Sequence, residues 1–157
     1  MAGRSGATVE QVLRAYAERG VFRALDVRTG GRGATEFTLH WLTDVPMRLT
    51  AGSRGRLLTL KNLLPNVPRR SAMYADLQRF IGERHDAGLP AHRRIDARAL
   101  EVTWIVARNK ASLAVKVKNG DPAAAARRLI NLTHELFVFL QDSWAEYLWE
   151  NFGTSSE

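Results

Sequence analysis

The chain of 157 residues is 45% hydrophobic and 25% charged, the size and balance of one folded domain, which excludes a wholly disordered or collagen-like polymer. It has no cysteine, so disulfides, thiolate catalysis and cysteine-based metal centres are excluded, and no apolar run approaches the roughly 20 residues needed to cross a bilayer. The net charge of +7 is unevenly placed: residues 1–120 hold 21 basic and 10 acidic side chains, residues 121–157 only 2 and 6.

A single domain over 1–157 is expected, with 1–7 and 153–157 as disordered tails. Thr8 followed by Gln11 has the spacing of a capping box, and Val9, Val12, Leu13 and Tyr16 recur at helical intervals up to Gly20. The spacing predicts a first helix over 9–19. From residue 21 the period changes to two. Val21, Leu25 and Val27, then Phe37, Leu39 and Trp41, then Met47, Leu49 and Ala51, and finally Leu58 and Leu60 alternate with polar neighbours. Glycine-rich turns at 30–33 and 52–55 separate them, which predicts an antiparallel meander of three or four strands over 21–62. Two prolines, Pro65 and Pro68, close the meander, and Met73, Tyr74, Leu77, Phe80 and Ile81 predict a helix over 69–85. Residues 86–99 read as the longest irregular segment and the most mobile one. Strands over 100–107 and 112–118 follow, joined at hairpin length. Asp121-Pro122 then supplies a cap and a first-turn proline.

The final helix reads as unbroken to about Asn151, roughly 45 Å at 1.5 Å per residue, with Gly153 as its stop. On a helical projection Leu129, Leu136, Leu140, Trp144, Tyr147 and Leu148 form a core face, while Glu135, Asp142, Glu146 and Glu150 form an acidic stripe. Val138, Ala145, Trp149 and Phe152 fall on a second apolar strip, the candidate protein interface, with Trp149 as its anchor. Either an N-terminal segment or the 86–99 loop of the same chain covers that strip, or a second copy or another protein partner does.

Chemistry is harder to find. Of the four histidines, His85 and His92 sit in the 86–99 region and its border without convergent spacing, and His40 reads as a sheet-surface residue. His134-Glu135 begins like a zinc-protease helix, but Val138 stands where the second histidine is required. The glycine-rich segments join strand to strand, so they do not form phosphate cradles. No catalytic, metal or cofactor residues are expected. Arg108, Lys110, Lys116 and Lys118 are the candidate polyanion contacts, on a basic hairpin. The arginine pairs 69–70, 93–94 and 127–128 read as solvated surface.

The expected class is α+β: an antiparallel sheet of five to six strands with flanking helices, in the order α-β-β-β(-β)-α-β-β-α, ending in a long helix. That order, with the segment Leu57 to Arg70 running into a helix, resembles the bacterial YbjN-like proteins and the wider type III secretion chaperone-like fold. The resemblance implies helices on one antiparallel sheet in a protein that is commonly dimeric and binds other proteins. The basic charge departs from typical secretion chaperones. The expectation is a cytoplasmic, homodimeric, non-enzymatic module for an unidentified protein partner, the alternative being nucleic-acid binding through the basic body.

Overall fold

A computed structural model describes residues 2–29, 34–52 and 55–153, with side chains from residue 8 onward. The order of elements is α1 (Ala2–Glu18), β1 (Ala24–Thr29), β2 (Thr35–His40), β3 (Met47–Gly52), β4 (Leu57–Leu64), α2 (Ala72–Glu83), β5 (Leu100–Ala107), β6 (Lys110–Val117), α3 (Pro122–Ser143) and α4 (Ala145–Phe152). This is the expected α+β class and order. The strands form one antiparallel sheet, β1-β2-β3-β4-β6-β5. The expected turn at 30–33 and the centre of the turn at 52–55 lie outside the described residues.

The period of two decides which face of the sheet is dry. Val27, Phe37, Leu49, Leu60, Leu113 and Trp104 stand opposite one another, one from each strand, as a single row across the sheet. Phe37, Leu49, Leu60 and Leu113 in that row are among the largest fully buried side chains. The helices cover this face: Leu13 of α1, Leu77 of α2, and Leu129 and Leu136 of α3 complete the core. Trp104 Nε1 donates to Leu77 O at 3.0 Å, which satisfies its buried indole and ties α2 to β5. The opposite face carries polar residues such as Arg28, Glu36, Thr50, Thr59 and Thr103 in a second registered row, and no described element lies over it.

Several expectations are corrected. Thr8 lies inside α1, which extends back to Ala2, so it does not cap the helix. Val21 is not an inward strand residue; it precedes β1 and is exposed, while Phe22 takes the core position against Trp41. β6 begins at Lys110, because Arg108 and Asn109, both at positive φ, form a two-residue turn. Residues 86–99 are anchored rather than loose. Ile95 is 2% exposed, and its N–H donates to Arg84 O at 2.7 Å.

The largest correction concerns the last helix. The long helix α3 ends at Ser143, and Trp144 (φ −137°, ψ 42°) breaks it before α4. Along an unbroken helix Phe137 and Phe152 would be about 22 Å apart. Their rings lie 5.9 Å apart, edge to face. The chain has doubled back, and Tyr147 donates its hydroxyl proton to Pro65 O. A straight helix of about 45 Å would overrun strands of about 27 Å, and the break returns Tyr147, Leu148 and Phe152 to the core. Trp144 Nε1 donates to Asp76 Oδ2 of α2 at 3.0 Å, which fixes the corner.

Candidate functional site

The break dissolves the outer strip read from the helical projection. Phe152 is 8% exposed and belongs to the core, so it is removed from the candidate interface. Val138 remains exposed on α3 at 46%, and Ala145 and Trp149 remain exposed on α4, Trp149 at 60%. Val138 has acquired different neighbours, however. With Phe137, Leu148 and Leu42 it lines a small hollow of about 120 Å³. Leu42 and His134 also belong to an adjoining hollow of about 530 Å³, walled by Tyr16, Val21, Trp41 and Ile130. The two form one groove between the β2–β3 connection, the end of α1 and the outer face of α3.

The wall at Leu42 is built with unusual care. Leu42 has φ 67°, a region a bulky side chain avoids, and Thr43 N donates to Trp41 O at 2.7 Å across it, closing a three-residue turn. The following residues hold that turn from several sides. Thr43, 3% exposed, bonds Val45 through its hydroxyl, and Arg23 Nη2 donates to Thr43 O at 2.6 Å. Such strain persists only where the surroundings over-determine it, and here it holds a leucine out at the groove's edge. Pattern reading passed over Leu42 because it directly follows the inward Trp41. The weak signal available was Asp44 and Pro46, which mark a turn immediately after it.

A second feature borders the larger hollow, which Arg93 and Glu135 also line. Glu135, on the acidic stripe expected to be solvated or to face basic residues, faces two arginines: it receives Arg93 Nε at 2.7 Å on Oε1 and Arg84 Nη1 at 2.9 Å on Oε2. This pins the 86–99 segment to α3. Arg84 also stacks over Phe80, its guanidinium carbon 4.9 Å from the ring centroid. Arg94 and Arg128 flank the cluster. Burial lowers the Arg128 pKa and nearby Arg94 lowers it further, with Glu135 acting against both.

The four proposed polyanion residues are all exposed, yet the hairpin separates them. Arg108 and Lys110 occupy its turn, whereas Lys116 and Lys118 lie some six residues away, about 20 Å along a strand. Lys116 faces Glu101 and Lys118 Nζ donates to Ala97 O at 2.9 Å. A basic pair that the fold brings together on the open face is Arg48 and Lys61, directly opposite across β3 and β4. Among the histidines, His40 Nε2 lies 3.5 Å from Asp26 Oδ2 and His85 Nδ1 lies 3.0 Å from Ile81 O. His92 and His134 line the larger hollow. Among the described residues no three histidine or carboxylate side chains converge as a metal site requires. No described helix is long and apolar enough to cross a membrane. No protein-family model matches the chain, and neither does any curated protein or solved structure.

Proposed function

We propose that this chain is a non-enzymatic, cytoplasmic protein-binding module that works as a homodimer, its contact surface being the groove between Leu42 and Val138. The observation that carries the reading is Leu42, a 37% exposed leucine held by a strained and over-determined turn beside a hollow of matching chemistry. Knob and hollow lie within one patch. A two-fold interface needs that self-complementarity, because each copy must present both halves to the other. Exposed Val21, Leu42 and Val138 supply the apolar centre, and His92, Arg93 and His134 supply a polar rim. A photo-crosslinking residue placed at Leu42 tests this: intermolecular links to residues 130–138 of α3 are expected, and links confined to the same chain would overturn it.

A second reading, polyanion binding, is favoured by one observation. Like charges directly opposite in a sheet are unfavourable, yet Arg48 and Lys61 face each other on the uncovered side. Random-sequence DNA titrated at two salt concentrations tests it. Binding that collapses with salt and weakens in Lys61→Gln would support the open face, and no binding at either salt would remove it.

A further inference from the structure

Of the asparagines in the chain, Asn119 alone precedes a glycine. The others are followed by Leu63, Val67, Lys110, Leu132 and Phe152, whose side chains crowd the next backbone nitrogen. Asn119 and Gly120 are both exposed, in the short connection between β6 and α3. Gly120 has φ 111°, a conformation that glycine adopts without cost, and a Cβ placed there would meet nothing within 4 Å. Among the described residues no acceptor takes the Gly120 N–H, and no partner holds the Asn119 carboxamide. The residues on either side are tied down. Lys118 N and Asn119 N both donate to Ala99 O, at 2.8 and 3.1 Å, and Asp121 Oδ1 caps α3 by accepting from Ala123 N at 3.0 Å. By contrast Asn66 Nδ2 donates to Asn151 Oδ1, and Asn151 Nδ2 donates to Tyr147 O at 2.9 Å. A backbone nitrogen and a side-chain amide that can react with each other therefore sit unbonded and wet at Asn119-Gly120.

We propose that Asn119 is a site of spontaneous deamidation in the folded protein, and that its isoaspartate product loosens the junction between β6 and α3. Hydroxide removes the proton from the Gly120 nitrogen, which attacks Asn119 Cγ. The N–Cγ bond forms, the Cγ–Nδ2 bond breaks, and the leaving nitrogen takes a proton from water and departs as ammonia, which regenerates hydroxide and leaves a cyclic imide. Water then opens the ring at one of its two carbonyls. Cleavage between the nitrogen and Cγ gives aspartate; cleavage between the nitrogen and the main-chain carbonyl carbon gives isoaspartate, whose chain runs through Cβ and Cγ. One water enters, one ammonia leaves, and nothing is oxidised or reduced. The isoaspartate adds a main-chain atom between Lys118, fixed on Ala99 O, and Asp121, fixed as the α3 cap, so it pushes one anchor away from the other. Asn119 and Gly120 line neither hollow of the Leu42–Val138 groove, so the two proposals stand or fall separately.

Peptide mapping by mass spectrometry tests the site, on the whole chain held at pH 7 and pH 9, folded and in urea. A gain of one dalton is expected in the peptide that holds Asn119, faster at pH 9 because the attacking nitrogen must lose its proton, with isoaspartate identified by fragmentation. The folded chain should react at Asn119 within tenfold of its rate in urea, and the other asparagines of the folded chain should stay unchanged. Asn119→Gln should lower the gain at least tenfold, since its longer side chain closes a larger ring; the replaced side chain is exposed, so the variant should fold. After conversion the wild type should melt lower by about 2 °C or more, while Asn119→Gln aged alongside keeps its Tm. Freshly prepared Asn119→Asp, which carries the new charge without the extra chain atom, should lose less. No gain in the folded chain, a similar gain at the other asparagines, or a folded rate more than tenfold below that in urea would overturn the site. An unchanged Tm after conversion, or an equal loss in Asn119→Asp, would overturn the loosening of the junction.

Discussion

The strained turn at Leu42 yields a prediction whose sign is opposite to ordinary experience. At most positions alanine is more stabilising than glycine by about 0.5–1 kcal/mol, because glycine leaves the unfolded chain more freedom. At φ 67° the balance reverses, since a Cβ in the left-handed region costs about 1–2 kcal/mol and glycine has none. Leu42→Ala and Leu42→Gly remove nearly the same side chain, so the packing loss largely cancels in the comparison. Leu42→Gly should then be the more stable of the two by about 0.5–1 kcal/mol, or about 2 °C in Tm for a chain of this length. Urea unfolding at protein concentrations low enough to disfavour association would read the difference. Leu42→Ala equal or superior to Leu42→Gly would show that the turn stores no strain, and the case for a deliberately presented leucine would fall with it.

Other consequences follow from the same geometry. Glu135→Ala should destabilise the fold by about 2 kcal/mol in urea unfolding, because it strands the part-buried Arg84 and releases Arg93. Phe152→Ala should cost about 3 kcal/mol against less than 0.5 for Trp149→Ala, reversing the order that an unbroken helix implies. Burial pushes the Tyr147 phenol above its ordinary pKa of 10.0. The unfolded chain therefore loses that proton first, so stability should fall as pH rises above about 10, and Tyr147→Phe should flatten that fall.

Much of the scaffold was legible because alternation and helical spacing are local. The inward residues of β2 to β6, the helix α2 within the expected 69–85, and the Asp121-Pro122 start of α3 follow from neighbours along the chain. The break at Trp144 was not legible, since no proline or glycine marks it. Its cause is tertiary: a bond to Asp76 and the return of Phe152 onto Phe137. The candidate sites were hidden for the same reason. Arg84, Arg93 and Glu135 meet across 42 to 51 residues of sequence, and no local spacing announces the encounter. Val138 was visible as an outward apolar residue on α3, but its companions Leu42 and Leu148 come from a connection and from the reversed helix α4.

The measurement that bears most directly on the groove as a self-association surface is the molar mass in solution by light scattering, for the wild-type chain and for Val138→Asp. Val138 is exposed, so the variant should fold normally. The wild type should have about twice the 17.6 kDa of one chain and Val138→Asp a single 17.6 kDa, with unchanged circular dichroism. A wild type that stays at 17.6 kDa at the highest attainable concentration, or a Val138→Asp variant that keeps the doubled mass, would contradict the account.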